Sequence, residues 1–202
     1  MEHNLDRYIN SGESLWCYAD RVLCHCPKCD RQAIVTSNRI SCTICTYQEN
    51  KCEGKLHGNV LGTPRSRSPH CSICGCRLLG IRLKAKAISN KLPQTKSVTC
   101  PACKQQTNID LQWNMDLHSG NAIDPNFGCE LWLQIPCCGN ILWVYNNRHL
   151  SDLKSYIGSN LRDGRNRRGG SMISRLPRWM IISKNRDAVI KCMDKLEDRL
   201  SQ

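Results

Sequence analysis

Alternation of apolar and polar positions is scarce along this chain, and where it occurs it is local. In ELWLQIPCCGNILWVY, residues 130–145, Leu131, Leu133 and Ile135 alternate with Trp132 and Gln134, and Ile141, Trp143 and Tyr145 alternate with Leu142 and Val144. Two runs of period two around PCCGN predict a β-hairpin. Both of its faces are rather apolar, so each is expected to be covered. Beyond it the period lengthens. Asn146 or Asn147 can cap a helix running to about Leu161, and Asn185 can cap a last one in which Val189, Ile190, Met193, Leu196 and Leu200 recur at helical spacing. Asp187 near the start of that helix suits the helix dipole and lies four residues before Lys191. Its apolar stripe reads as a face turned to the core. No stretch approaches the roughly 18 apolar residues of a membrane span, and MEHNLDRYINSGESLWCYAD lacks the basic start and apolar run of an export signal. A soluble, cytoplasmic protein with no membrane partner is expected.

The first half follows another regularity. CPKCDRQAIVTSNRISCTIC, residues 26–45, alternates only loosely but carries two Cys-x-x-Cys pairs. Sixteen cysteines in 202 residues, many in short pairs, point in a reducing compartment to metal binding over disulfides. Cys26, Cys29, Cys42 and Cys45 make one quartet. Cys71, Cys74, Cys100 and Cys103 make a second, with 25 residues between its inner members. A two-residue spacer lets both sulfurs of a pair face one tetrahedral Zn²⁺ at about 2.3 Å. Cys24, His25 and Cys76 lie within one or two residues of these positions, and each could take a ligand's place. Four thiolates close the coordination shell to water, so two Zn²⁺ per chain are expected as structural ions. Segments this small bury too little apolar surface to fold without such help. Cys129, Cys137 and Cys138 supply only three thiols toward a third site, which is not expected. The fold class read from these patterns is α+β: a zinc ribbon over 1–54, a second with a basic insert over 55–112, and a β-hairpin with C-terminal helices over 113–202.

The two quartets, DPNFGCELWLQIPCCGNILWVYNNRHL at 124–150 and SRLPRWMIISKNRDAVIKCMDKL at 174–196 together resemble small bacterial proteins with tandem zinc ribbons of the transcription-factor-IIB type, often labelled after the replication-restart helicase PriA. The resemblance spans most of the chain and implies tandem ribbons followed by a short α+β tail. It implies no partner. Helicase chemistry is excluded on the residues themselves. A P-loop needs G-x-x-x-x-G-K-[ST], and at Gly54-Lys55 the first glycine is replaced by Glu49 and the hydroxyl residue by Leu56.

Charge adds the functional signal. The formal net charge is +12, and two filled Zn(Cys⁻)₄ centres, each of net charge −2, would bring it to about +8. From Gly54 to Ile109 there are ten Lys or Arg and no Asp or Glu, among them Arg65, Arg67, Arg82, Lys84 and Lys86. LRDGRNRRGG adds Arg162, Arg165, Arg167 and Arg168 against the lone Asp163, and RLPRWM places Arg175 and Arg178 around Trp179. Such clusters attract phosphate backbones through counterion release. The six histidines form no paired ligand motif, and no Ser, Cys or carboxylate has a recognisable activating neighbour, so no catalytic residues and no small-molecule substrate are expected. Two readings remain. One is a nucleic-acid-binding zinc-ribbon protein, and the other is an interaction module for an acidic protein partner, which the same basic surface would serve. An enzyme ranks third.

Overall fold

The computed structural model describes residues 7–52, 57–87, 92–115, 122–162 and 170–200. The chain divides into two compact units, one formed by 1–51, 122–124 and 129–202, the other by 52–121 and 125–128. No helix among the described residues is long and apolar enough to cross a membrane.

The first unit opens with the two-residue strand β1 (Arg7–Tyr8) and a 3₁₀ turn over Leu15–Tyr18, then builds an antiparallel sheet in the order β2 (Val22–His25), β3 (Gln32–Val35), β4 (Arg39–Ser41) and β5 (Gln48–Asn50). The strands are short because a Cys-x-x-Cys turn interrupts the chain between β2 and β3 and again between β4 and β5. Val22, Val35 and Ile40 are buried, while β5 is exposed throughout.

β2 has a second set of partners. Leu23 N–H donates to Tyr145 O, His25 N–H to Glu130 O, and Trp132 N–H to Leu23 O, at 2.8, 2.8 and 3.0 Å. These bonds join the first cysteine quartet to the C-terminal half of the chain as one body.

In the second unit the sheet order is β7 (Leu83–Ala87), β6 (Gly58–Pro64), β9 (Gln106–Met115), β8 (Thr95–Thr99), antiparallel throughout. One face packs Ile109 and Leu111 with Cys71, Leu78, Ile81 and Cys100, flanked by Leu83, Val98 and Trp113. That core is small, as expected where burial alone does not hold a domain.

Gly62 stands opposite Trp113 across the β6–β9 pair, and its missing side chain makes room for the indole, whose Nε1–H donates to Pro93 O at 2.8 Å. A Cβ at residue 62 would lie 3.0 to 3.1 Å from three Trp113 ring carbons. Gly62→Ala is therefore expected to destabilise the second unit by about 1 to 3 kcal/mol, read as faster hydrogen exchange in β6 and β9 with the first unit unchanged. Equal exchange in variant and wild type would show that the indole moves aside at no cost.

The rest of the first unit is the stretch read above as a hairpin with flanking helices. β10 (Gln134–Cys137) and β11 (Asn140–Trp143) pair antiparallel through a two-residue turn, and α1 (Asn147–Gly158), the single-turn α2 (Arg178–Ile181) and α3 (Arg186–Leu200) follow, with β12 (Leu161–Arg162) alongside β1. Leu131, Leu133, Leu142 and Val144 are buried, whereas Ile141 is 44% exposed, so one apolar position of the hairpin faces solvent. Val189, Met193 and Leu196 form the buried stripe of α3, and Arg199 near its end donates to the carbonyls of Trp132 and Gln134, both at 3.2 Å.

Asn146 starts α1. Its Oδ1 accepts from His149 N–H at 2.9 Å, and its Nδ2 donates to Tyr18 O and Arg21 O, both at 2.8 Å. Asp152, one turn into α1, accepts from the hydroxyls of both Tyr8 and Tyr18. His149 is buried against Tyr18 and Tyr145, its Nδ1 accepts from Tyr145 N–H, and burial pushes its pKa down to about 3. It stays neutral at physiological pH and carries no switch.

Candidate metal centres and a basic sheet edge

All four Cys-x-x-Cys turns share one backbone design. The N–H of the first cysteine donates to the carbonyl five residues on: Cys26 to Arg31, Cys42 to Tyr47, Cys71 to Cys76 and Cys100 to Gln105, at 2.8 to 2.9 Å. The residue after the second cysteine adopts a left-handed conformation, with φ of 58° at Asp30, 57° at Thr46, 71° at Gly75 and 63° at Lys104. Only one of the four is glycine. For the others this conformation costs roughly 1 to 2 kcal/mol each, which the rest of the site must offset.

These turns bring the eight predicted cysteines into two groups, Cys26, Cys29, Cys42 and Cys45 and then Cys71, Cys74, Cys100 and Cys103, each with its sulfurs within 4.8 Å of one another. Cys26–Cys45 and Cys29–Cys42 are 3.6 Å apart, Cys71–Cys103 is 3.7 Å and Cys74–Cys100 is 3.6 Å. A tetrahedron with arms of about 2.3 Å has edges of about 3.8 Å, so both groups have the size of a four-thiolate zinc site. The separations are too long for disulfides, whose sulfurs sit about 2.05 Å apart.

The electrostatics point the same way. Backbone N–H groups of Cys45 and Ile44 converge on Cys42 and pull its pKa down to about 7, and those of Cys103 and Ala102 pull Cys100 down to about 6. Their partners behave in the opposite sense. At Cys29 the N–H of Arg31 favours the thiolate, as that of Gln105 does at Cys103, but desolvation and the neighbouring sulfurs prevail and push both up to about 12. Four thiols so close cannot all ionise without a cation among them, and a cation is what the geometry accommodates.

The neighbouring candidates fall outside both groups. Cys24 is buried on β2, where the adjoining Cys129 thiol, then burial, pushes its pKa up. His25 Nδ1 lies 2.9 Å from the Asp30 carboxylate, and its ring packs on Trp132. Cys76 packs against the second unit's core, and its thiol reaches the carbonyl of Arg77.

A fifth turn has the same backbone without the ligands. Asp124 N–H donates to Cys129 O at 2.7 Å, the flanking Ile123 and Glu130 form a bridge, and Gly128 is left-handed with φ of 73°. Asp124 and Phe127 stand where the other turns have cysteines. Only the alignment of hydrogen bonds, not the spacing of cysteines, reveals this turn.

The predicted basic residues separate into distinct places. Lys84 and Lys86 are exposed at alternate positions of β7, an edge strand, and exposed Arg82 directly precedes it. Arg65 and Arg67 are exposed in the segment that leaves β6 at the end of the sheet where β7 begins, since Gly62 pairs with Leu83 and Arg65 N–H donates to Asp110 O. Lys96, from β8, donates its Nζ to Arg82 O at 3.3 Å. Asp110 is the one carboxylate among the described residues of this unit. Arg175 and Arg178 are exposed in the first unit, Arg162 lies in β12, and Arg165, Arg167 and Arg168 lie outside the described residues. No protein family, curated protein or solved structure matches the chain.

Proposed function

We propose that this protein binds nucleic acid through sequence-independent contacts to phosphate, with one structural zinc ion in each cysteine quartet. The observation that carries the reading is the row Arg82, Lys84, Lys86 along the β7 edge, which Arg65 and Arg67 join at its start. Cations about two residues apart on an extended strand recur every 6 to 7 Å, close to the spacing of successive phosphates along an extended single strand. Each ion pair formed there releases a condensed counterion, and that release drives binding without reading bases.

Zinc suits the donor set because four thiolates in a tetrahedron satisfy a soft, closed-shell ion and leave no position for water. Its part is to hold the turns from which β6 to β9 spring. The chain's own residues do the binding: the arginines offer forked donors to phosphate oxygens, and the lysines offer point charges.

The test is a salt titration. Labelled single-stranded and duplex DNA are titrated with wild type and with an R65A/R82A/K84A variant at several salt concentrations. Losing three phosphate contacts should flatten the slope of log affinity against log salt by about two units, with similar losses on unrelated sequences. The same measurement on R165A/R167A/R168A reports separately on the Gly-rich segment. Wild-type affinity no tighter than millimolar at low salt would overturn the proposal in favour of an acidic protein partner.

A further inference from the structure

Three thiols outside the two quartets meet where the hairpin packs on α3. β10 ends at Cys137, and the chain returns through Cys138 and Gly139, whose φ values of 50° and 73° make the two-residue turn that pairs Cys137 with Asn140. Turns of this class favour Asn, Asp or Gly at their first position. Here that position holds a cysteine, and its side chain is exposed. Cys137 is buried behind it, with its sulfur 4.0 Å from that of Cys138 and 3.9 Å from the carbonyl of Ala188 on α3. One turn further along α3, half-buried Cys192 lies 3.8 Å from the carbonyl of Pro136 and borders the Cys137 thiol.

The shape of this cluster separates it from the metal centres. In each quartet every sulfur is within 4.8 Å of the other three, and among the described residues only those two groups meet that condition. Cys137, Cys138 and Cys192 instead form a row with Cys137 in the middle. A row with an exposed thiol at one end and a buried one in the middle suits stepwise sulfur exchange better than a shared ion.

We propose that these residues form a hydroperoxide-reactive thiol relay whose product is a Cys137–Cys192 disulfide fastening the hairpin to α3. The Cys138 thiolate attacks the outer oxygen of a hydroperoxide. The O–O bond breaks, the alcohol or water leaves with a proton, and Cys138 becomes a sulfenic acid. Cys137 then attacks that sulfur and expels water, which carries off the Cys137 proton, and an S–S bond forms between the neighbours. Cys192, as thiolate, attacks the Cys137 sulfur. Cys138 leaves as thiolate and takes up the proton Cys192 gave, which restores it. Two thiols and one hydroperoxide yield one disulfide, one alcohol and one water. Burial, then the adjoining Cys192 and Cys138, pushes the Cys137 thiol up, which leaves the exposed Cys138 as the entry point for the hydroperoxide.

The experiment uses the full zinc-loaded chain. One equivalent of hydrogen peroxide is added, free thiols are alkylated, and unreduced tryptic peptides are mapped by mass spectrometry. The tetrapeptide Cys192–Lys195 should be found linked to the peptide 105–148, with fragmentation placing the bond on Cys137 and not on Cys129 or Cys138, and with both zinc equivalents retained. Cys138→Ser should slow this linkage about tenfold with peroxide yet form it fully in a buffer of oxidised glutathione, which bypasses the entry thiol. Cys192→Ser should abolish it. Alkylation of all three thiols in wild type, zinc loss before linkage, a final Cys137–Cys138 bond, or Cys138→Ser reacting as fast as wild type would each overturn the relay.

Discussion

Cys100→Ser is expected to leave the chain with one tightly bound zinc ion instead of two and to unfold the second unit while the first stays folded. Cys100 is fully enclosed by side chains in the second unit's core, and its backbone carries both hydrogen bonds that shape its turn, to Gln105 O and from Lys104 N–H. The apolar cluster it belongs to has six buried members, two of them proposed ligands, so little remains to hold β6 to β9 once the ion leaves. Structural zinc contributes about 10 to 16 kcal/mol to the folding of small ribbons, comparable to the whole net stability of an ordinary domain. Cys42→Ser should lose one zinc equivalent as well but with a milder consequence. In the first unit β2 is also bonded to 130–132 and Tyr145, and the helical core of Leu150, Leu153, Val189, Met193 and Leu196 does not depend on the metal. Metal analysis with hydrogen exchange resolved by unit checks both variants. Two zinc equivalents in either one would show that another side chain completes the site.

Asn146→Ala should lower stability by about 3 to 5 kcal/mol, large for one polar side chain. The amide accepts from His149 N–H and donates to Tyr18 O and Arg21 O, and the residue is 9% exposed. Truncation removes a helix cap, worth about 1 kcal/mol, and leaves the buried Tyr18 carbonyl short of its donor at about 1 to 3 kcal/mol and the part-buried Arg21 carbonyl at about 1 kcal/mol. Asn146→Asp separates the two roles. Aspartate caps helices as well as asparagine does, but here it would turn two donor hydrogens into an acceptor facing two carbonyls. The expectation is that Asp is no better than Ala, with a melting temperature about 10 °C below wild type in both. Urea denaturation showing near-wild-type stability for Asp would mean that the cap alone matters.

These two residues also mark what the sequence discloses. The eight clustered cysteines are legible because metal geometry constrains spacing within each pair, and two-residue spacers are rare by chance. Asn146 is legible as a cap through its place before Asn147–Gly158, but its bonds to Tyr18 and Arg21 join residues more than a hundred positions apart and leave no local trace. The same holds for Cys192, which reads as one position on an amphipathic helix until the fold sets it beside Cys137. The basic row behaves likewise. Arg82, Lys84 and Lys86 show their alternation in sequence, whereas the arrival of Arg65 and Lys96 at the start of that strand depends on strand order. Ile141, apolar yet 44% exposed, misleads a reading by pattern because alternation reports the character of a face and not what covers it.

The division of the chain bears on how it is made. The first unit takes residues from both ends, whereas all but four residues of the second lie in one continuous stretch, 52–121. A ribosome therefore releases nearly the whole second unit while the first still lacks its hairpin and helices. During that interval β2 has no 130–132 segment to pair with, and Leu23 and Cys24 lack their backbone partners at Leu131, Trp132 and Tyr145. The second unit can fold all but 125–128 into place during translation, and the first reaches its final state only after the last helix emerges. A truncated chain ending near residue 121 would present a nearly complete second unit joined to an unpaired β2, a segment open to chaperones and to pairing with other strands.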